Sequence, residues 1–117
     1  MNKFFAISIF ITLSFFSLTG LAQDSVDVVV PNIFTPNKDG VNDVFRPSYT
    51  NIKKVSGAIY NRWGEIIYQW WGLKGYWDGV TMPAGIEVPE GTYYYIIKAY
   101  SFTDEEIVKT GTVSLFR

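Results

Sequence analysis

Along Tyr93-Tyr94-Tyr95-Ile96-Ile97-Lys98-Ala99-Tyr100 the pattern of side chains fits a period of two, not the 3.6 of a helix. As a strand, this run puts Tyr93, Tyr95, Ile97 and Ala99 on one face and Tyr94, Ile96, Lys98 and Tyr100 on the other. Lys98 marks the second face as solvated, so the first is the predicted core face. Beyond residue 22, no segment keeps apolar residues at helical spacing for three turns. Short β-branched and aromatic runs recur instead between Gly, Asn, Asp and Pro clusters. Strands are predicted near Val26–Val30, Val44–Pro47, Val55–Asn61, Glu65–Trp70, Thr92–Ser101, Glu106–Thr110 and Thr112–Phe116. About seven short strands in a domain of this size predict an all-β fold, a small immunoglobulin-like antiparallel β-sandwich, with a small barrel as the other arrangement.

Two hairpins follow from the turn residues. Asn61-Arg62-Trp63-Gly64 reverses the chain between Ala58–Tyr60 and Glu65–Tyr68, with Gly64 in the left-handed position. Thr103-Asp104-Glu105 is the polar turn joining the tyrosine-rich strand to Ile107–Thr110.

The amino terminus has a different character. Lys3 precedes an apolar run from Phe4 to Leu18, and Gly20-Leu21-Ala22 supplies small residues for cleavage before Gln23. Residues 1–22 therefore read as a signal peptide, too short for a retained span of roughly 20 apolar residues. Residues 23–30 read as a short lead-in and 31–117 as the domain. The absence of cysteine excludes a disulfide and a lipoprotein anchor, leaving stability to an aromatic-rich core.

Ten Lys and Arg face eleven Asp and Glu with no basic cluster, which argues against nucleic acid as a partner. The chain has neither His nor Cys, which removes Ser-His-Asp and Cys-His catalysis and the usual zinc sites. Glu87 and Glu90, and Asp104-Glu105-Glu106, lie in turn contexts where solvated charge is the ordinary role. No catalytic residue and no enzymatic activity are expected.

The loop Pro31–Phe45 is dense in residues chosen for backbone behaviour, Phe34, Pro36 and Gly40 among them. Within it Asn37, Asp39, Asn42 and Asp43 form a candidate weak Ca²⁺ site, because that ion takes six to eight oxygens. An EF-hand does not fit, since counting from Thr35 its twelfth position is Arg46, where a bidentate Glu is required. A turn closed by Asx hydrogen bonds is the favoured reading, with no cofactor needed. Trp77-Asp78-Gly79 reads as a turn with Trp77 in the core, Asp78 bonded to backbone amides and Gly79 at positive φ; a sugar-stacking platform is the competing reading. Adjacent Trp70 and Trp71 must point to opposite faces if the strand continues, so at least one is expected to be partly exposed, either as an apolar patch for a protein or glycan or under a loop.

Several of these motifs occur in a fixed order: Pro31–Asn37 through Asp39–Asp43, Ile59-Tyr60-Asn61-Arg62-Trp63-Gly64-Glu65, Trp77-Asp78-Gly79, Val88-Pro89-Glu90-Gly91-Thr92-Tyr93-Tyr94-Tyr95 and Gly111–Leu115. Together they resemble the gliding motility-associated C-terminal domain, the type B sorting domain of the Bacteroidota type IX secretion system. The resemblance implies a non-catalytic sorting module, recognised by protein partners in the outer-membrane translocon after general secretory export. The destination it implies is the cell surface or the extracellular space, by way of the periplasm. In the family a large cargo region usually precedes the domain, whereas here only Gln23 to Val30 intervene. In such a domain the terminal strand, Val113, Ser114, Leu115, Phe116 and Arg117, is the candidate recognition element. The alternatives are a cell-surface carbohydrate- or protein-binding β-sandwich and a small structural subunit of an adhesion or gliding apparatus.

Overall fold

The computed structural model describes residues 25–117; the signal-peptide reading of 1–22 lies outside the described residues. The described residues contain seven strands and no helix: β1 (Asp27–Val29), β2 (Ile33–Phe34), β3 (Ser48–Thr50), β4 (Ile52–Tyr60), β5 (Ile66–Trp71), β6 (Gly91–Ser101) and β7 (Glu106–Leu115). A five-stranded sheet runs β2-β7-β6-β4-β5, and β1 pairs with β3 in a second, two-stranded sheet. This is the expected small β-sandwich. Pairing is antiparallel except that β2 runs parallel to β7, with Ile33 opposite Ser114 and Phe34 opposite Leu115.

The alternation along β6 holds. Tyr93, Ile97 and Ala99 are buried and Tyr95 is half-buried, while Tyr94 and Lys98 are exposed. Val55 and Ile59 of β4, Trp70 of β5 and Val113 and Leu115 of β7 share the inner side, covered by Val28, Phe34, Phe45, Trp77 and Val88. Much of the covering layer is therefore loop, pinned by paired backbone bonds between Phe45 and Trp77 at 2.7 and 3.0 Å.

Three strand readings change. Val44–Pro47 is not a strand: Phe45 makes one isolated bridge to Trp77, and regular pairing begins at Ser48. Glu106–Thr110 and Thr112–Phe116 are one strand running through Gly111, because the Tyr95 ring lies across that glycine; a Cβ there would stand 2.7 Å from the Tyr95 hydroxyl. Ile33–Phe34 is a strand within the segment read as loop. In addition, β1 falls inside the segment read as a lead-in, where burial of Val28 ties it to the core.

Trp70 and Trp71 do point to opposite faces: Trp70 is buried and Trp71 is 68% exposed. The Trp70 indole fits between Gly57 and Gly75, and a methyl group on either glycine would overlap its ring. Its N–H is turned towards the Tyr49 hydroxyl without reaching hydrogen-bond geometry, and neither atom has another partner among the described residues. Burial pushes the Tyr49 phenol above its usual value, and the Trp70 N–H draws it partly back.

Candidate recognition surface

Residues far apart in sequence meet at one end of the sandwich. Phe34, Trp77 and Tyr93 form an aromatic column with successive ring centroids 5.3 Å apart. The Trp77 indole donates to the Val80 carbonyl at 2.8 Å and the Tyr93 hydroxyl donates to the Pro89 carbonyl at 2.6 Å. With no exposed area left, Trp77 is a core residue and not a sugar platform. Gly79 has φ +86°, a conformation that favours glycine, and a Cβ there would sit tightly, 3.0 Å from Leu115 and 3.1 Å from Arg117. Asp78 is exposed and takes no hydrogen bond from the amides of the described residues, contrary to expectation; Gly79 alone makes the turn.

The chain terminus closes this end. The Arg117 guanidinium donates to the carbonyls of Val88 at 3.0 and 3.2 Å and Gly79 at 3.0 Å, and lies 3.8 Å from Glu87. Its backbone N–H donates to the Glu90 carboxylate at 2.7 Å. Of the candidate recognition element, Val113 and Leu115 are fully buried, Ser114 is held between Thr92 and Ile33, and Phe116 is half exposed. The terminal strand is thus paired on both sides at this point, and what it offers outward is Phe116. The part played by Val88 and Glu90 as partners of Arg117 was not evident from the sequence, since they lie 29 and 27 residues away from it.

The hairpin tip beside this end is built by Asn61. Its side-chain oxygen accepts from the amides of Trp63 and Glu65, each at 3.0 Å, and its amide group donates to the Glu65 carboxylate at 3.0 Å. Gly64, at φ +82°, closes the turn with a bond to the Asn61 carbonyl. Held this way, Trp63 projects 74% exposed, with the Arg62 guanidinium 5.0 Å from its ring centre. The tip and the segment Val88–Tyr93, Gly91 included, line one depression of about 530 Å³, and on its other side Asn61 and Arg62 border a second of about 600 Å³. Burial pushes the Tyr93 phenol up, and the Arg117 and Arg62 cations draw it partly back.

In the Asn37–Asp43 loop the acidic oxygens face backbone amides. Asp43 accepts from Lys38 at 3.0 Å and Gly40 at 2.7 Å, Asn37 from Asp39 at 3.2 Å and Asp39 from Val41 at 2.9 Å. Lys38, Gly40 and Asn42 all have positive φ. Of the candidate Ca²⁺ residues, Asn37 and Asp39 thus form successive Asx turns and Asp43 reaches back to close the loop. Pro31 and Pro36 flank the loop and are half-buried.

The arrangement is a surface of backbone-held turns with one projecting indole. The chain belongs to the CHU_C type IX secretion signal domain family, whose model matches residues 28–115. That membership makes it a sorting signal for type IX secretion, read by the secretion machinery and directing export. A search of curated proteins found no match. No helix among the described residues is long and apolar enough to cross a membrane.

Proposed function

We propose that this domain acts as a folded address, recognised at the Arg117 end by protein components of the outer-membrane type IX translocon. In this reading a signal peptide at residues 1–22 first carries the chain to the periplasm, and it then passes to the cell surface or beyond without catalysing a reaction. The observation that carries the proposal is convergence: the family motifs around Phe34, Trp77 and Val88–Tyr93 meet through Arg117 and the aromatic column, and Asn61 borders the depression that Val88–Tyr93 lines. Core packing explains Trp77 and Tyr93, but it does not require the tip to share that depression.

The test is delivery of the epitope-tagged full chain in a type IX-competent bacterium and in the same strain lacking the translocon. Export only in the competent strain supports the proposal; equal export from both refutes it. Deletion of Val113–Arg117 would remove two core side chains, so Phe116→Ala is the cleaner variant for probing the terminal surface.

A glycan-binding reading is favoured by a separate observation. Trp71, Lys53, Lys54 and Tyr100 line a depression of about 400 Å³ on the outer sheet face, with Lys54 4.9 Å from the Tyr100 ring centre. Trp71-dependent binding on a glycan array would support it, and a blank array would dismiss it.

A further inference from the structure

Trp63 contributes little to folding, yet the fold spends an unusual amount of structure on placing it. Its backbone amide is held by Asn61, and Asn61 is itself fixed by three further bonds with Glu65. A polar side chain at position 63 would make the same turn, because the indole is 74% exposed. Rigid presentation of a large apolar side chain lowers the ordering cost of binding, and Trp and Arg dominate the centres of protein interfaces. Arg62 lies against that indole, and neither ion pair among the described residues involves it. Its charge is therefore available to a carboxylate on another molecule. The depressions on either side make the tip a ridge, a shape that enters a cleft.

We infer that the Arg62–Trp63 ridge is the principal contact with the sorting partner, a protein surface with an apolar cleft for the indole and a carboxylate at its rim for the guanidinium. This inference rests on the secretion-signal reading and names the part of the surface that is read. The exposed Trp71 is the internal comparison, since it is nearly as accessible but lies on the outer sheet face, away from the terminus.

The tagged full chain, delivered by a type IX-competent strain, is the assay, with the exported fraction and the melting midpoint of the purified protein measured together. Trp63→Ala and Arg62→Glu each lower export about tenfold, the scale of a lost interface anchor, at an unchanged midpoint; Trp71→Ala exports normally. Normal export of both ridge variants, alongside export of the unaltered chain, overturns the ridge and leaves the sorting role standing. Export of the unaltered chain without the translocon overturns the sorting role and the ridge with it. If Trp63→Ala lowers the midpoint, Arg62→Glu decides, since reversal of a charge with no ion-pair partner leaves the turn bonds in place.

Discussion

Arg117 donates twice to the Val88 carbonyl, from Nε at 3.2 Å and Nη2 at 3.0 Å, so the last residue of the chain fastens the loop that precedes β6. Nη2 also reaches the Gly79 carbonyl, which links the turn after Trp77 to the same point. One fork of donors thus replaces regular pairing where the covering layer is mostly loop. A planar guanidinium suits this task because its donors are set at fixed angles.

Removal of the fork should loosen the recognition end. Arg117→Ala is expected to cost about 1–3 kcal/mol, the range for lost charge-assisted bonds, and to lower the melting midpoint by several degrees. Arg117→Lys should recover only part of the loss, since one ammonium cannot reproduce the double contact with Val88. A thermal melt of the three proteins checks both statements.

The two glycines around Trp70 predict an overpacking effect. Gly57→Ala and Gly75→Ala should each destabilise by about 1–3 kcal/mol, because the added methyl meets the indole directly. Gly64→Ala, with open space around it but φ +82°, should cost about 1–2 kcal/mol from backbone conformation alone. In denaturant titrations, combining Gly57→Ala with Trp70→Phe should be less damaging than the sum of the single changes.

Stability should decline in alkali. Burial raises the Tyr49 phenol above its ordinary value of 10.0, so the folded state keeps this proton after the unfolded chain has released it. The stabilisation is fully present below about pH 10 and is lost as pH rises through the folded value. Tyr68 and Tyr93 are shifted the same way, mainly by burial. Tyr49→Phe should change stability at neutral pH by less than about 1 kcal/mol, since the hydroxyl has no hydrogen-bond partner among the described residues. Its loss of stability above pH 10 should be shallower than that of the unaltered chain, as chemical denaturation at several pH values will show.

For the Asn37–Asp43 loop the expected response to millimolar Ca²⁺ is an unchanged melting midpoint, because the acidic oxygens are turned to backbone amides. A rise that Asp43→Asn abolishes would establish the metal site instead.

Local signals were read well where one residue decides the geometry. The β6 alternation placed Tyr93, Ile97 and Ala99 inside, Gly64 and Gly79 have the positive φ expected of them, and Trp70 and Trp71 separate as adjacent strand residues must. The structure departs from these local cues where a distant residue overrides them. Gly111 looked like a break, but Tyr95 on the neighbouring strand fills the space that a side chain would take. Val44–Pro47 has strand-forming residues but no neighbouring strand to pair with, beyond the single bridge at Trp77.

The order of motifs, the all-β class and the secretion-family resemblance were determined by the sequence alone, because turn residues and side-chain alternation act over a few positions. Tertiary structure decided that β7 is flanked by β2 at its end, that Arg117 binds Val88 and Gly79, and that the Asn61 tip shares a depression with Val88. Those relationships join residues that carry no mark of each other in the chain. Burial of one aromatic column brings the loops around Phe34, Trp77 and Tyr93 to the same end of the sandwich, whereas the position of the Asn61 tip follows from the β4–β5 hairpin.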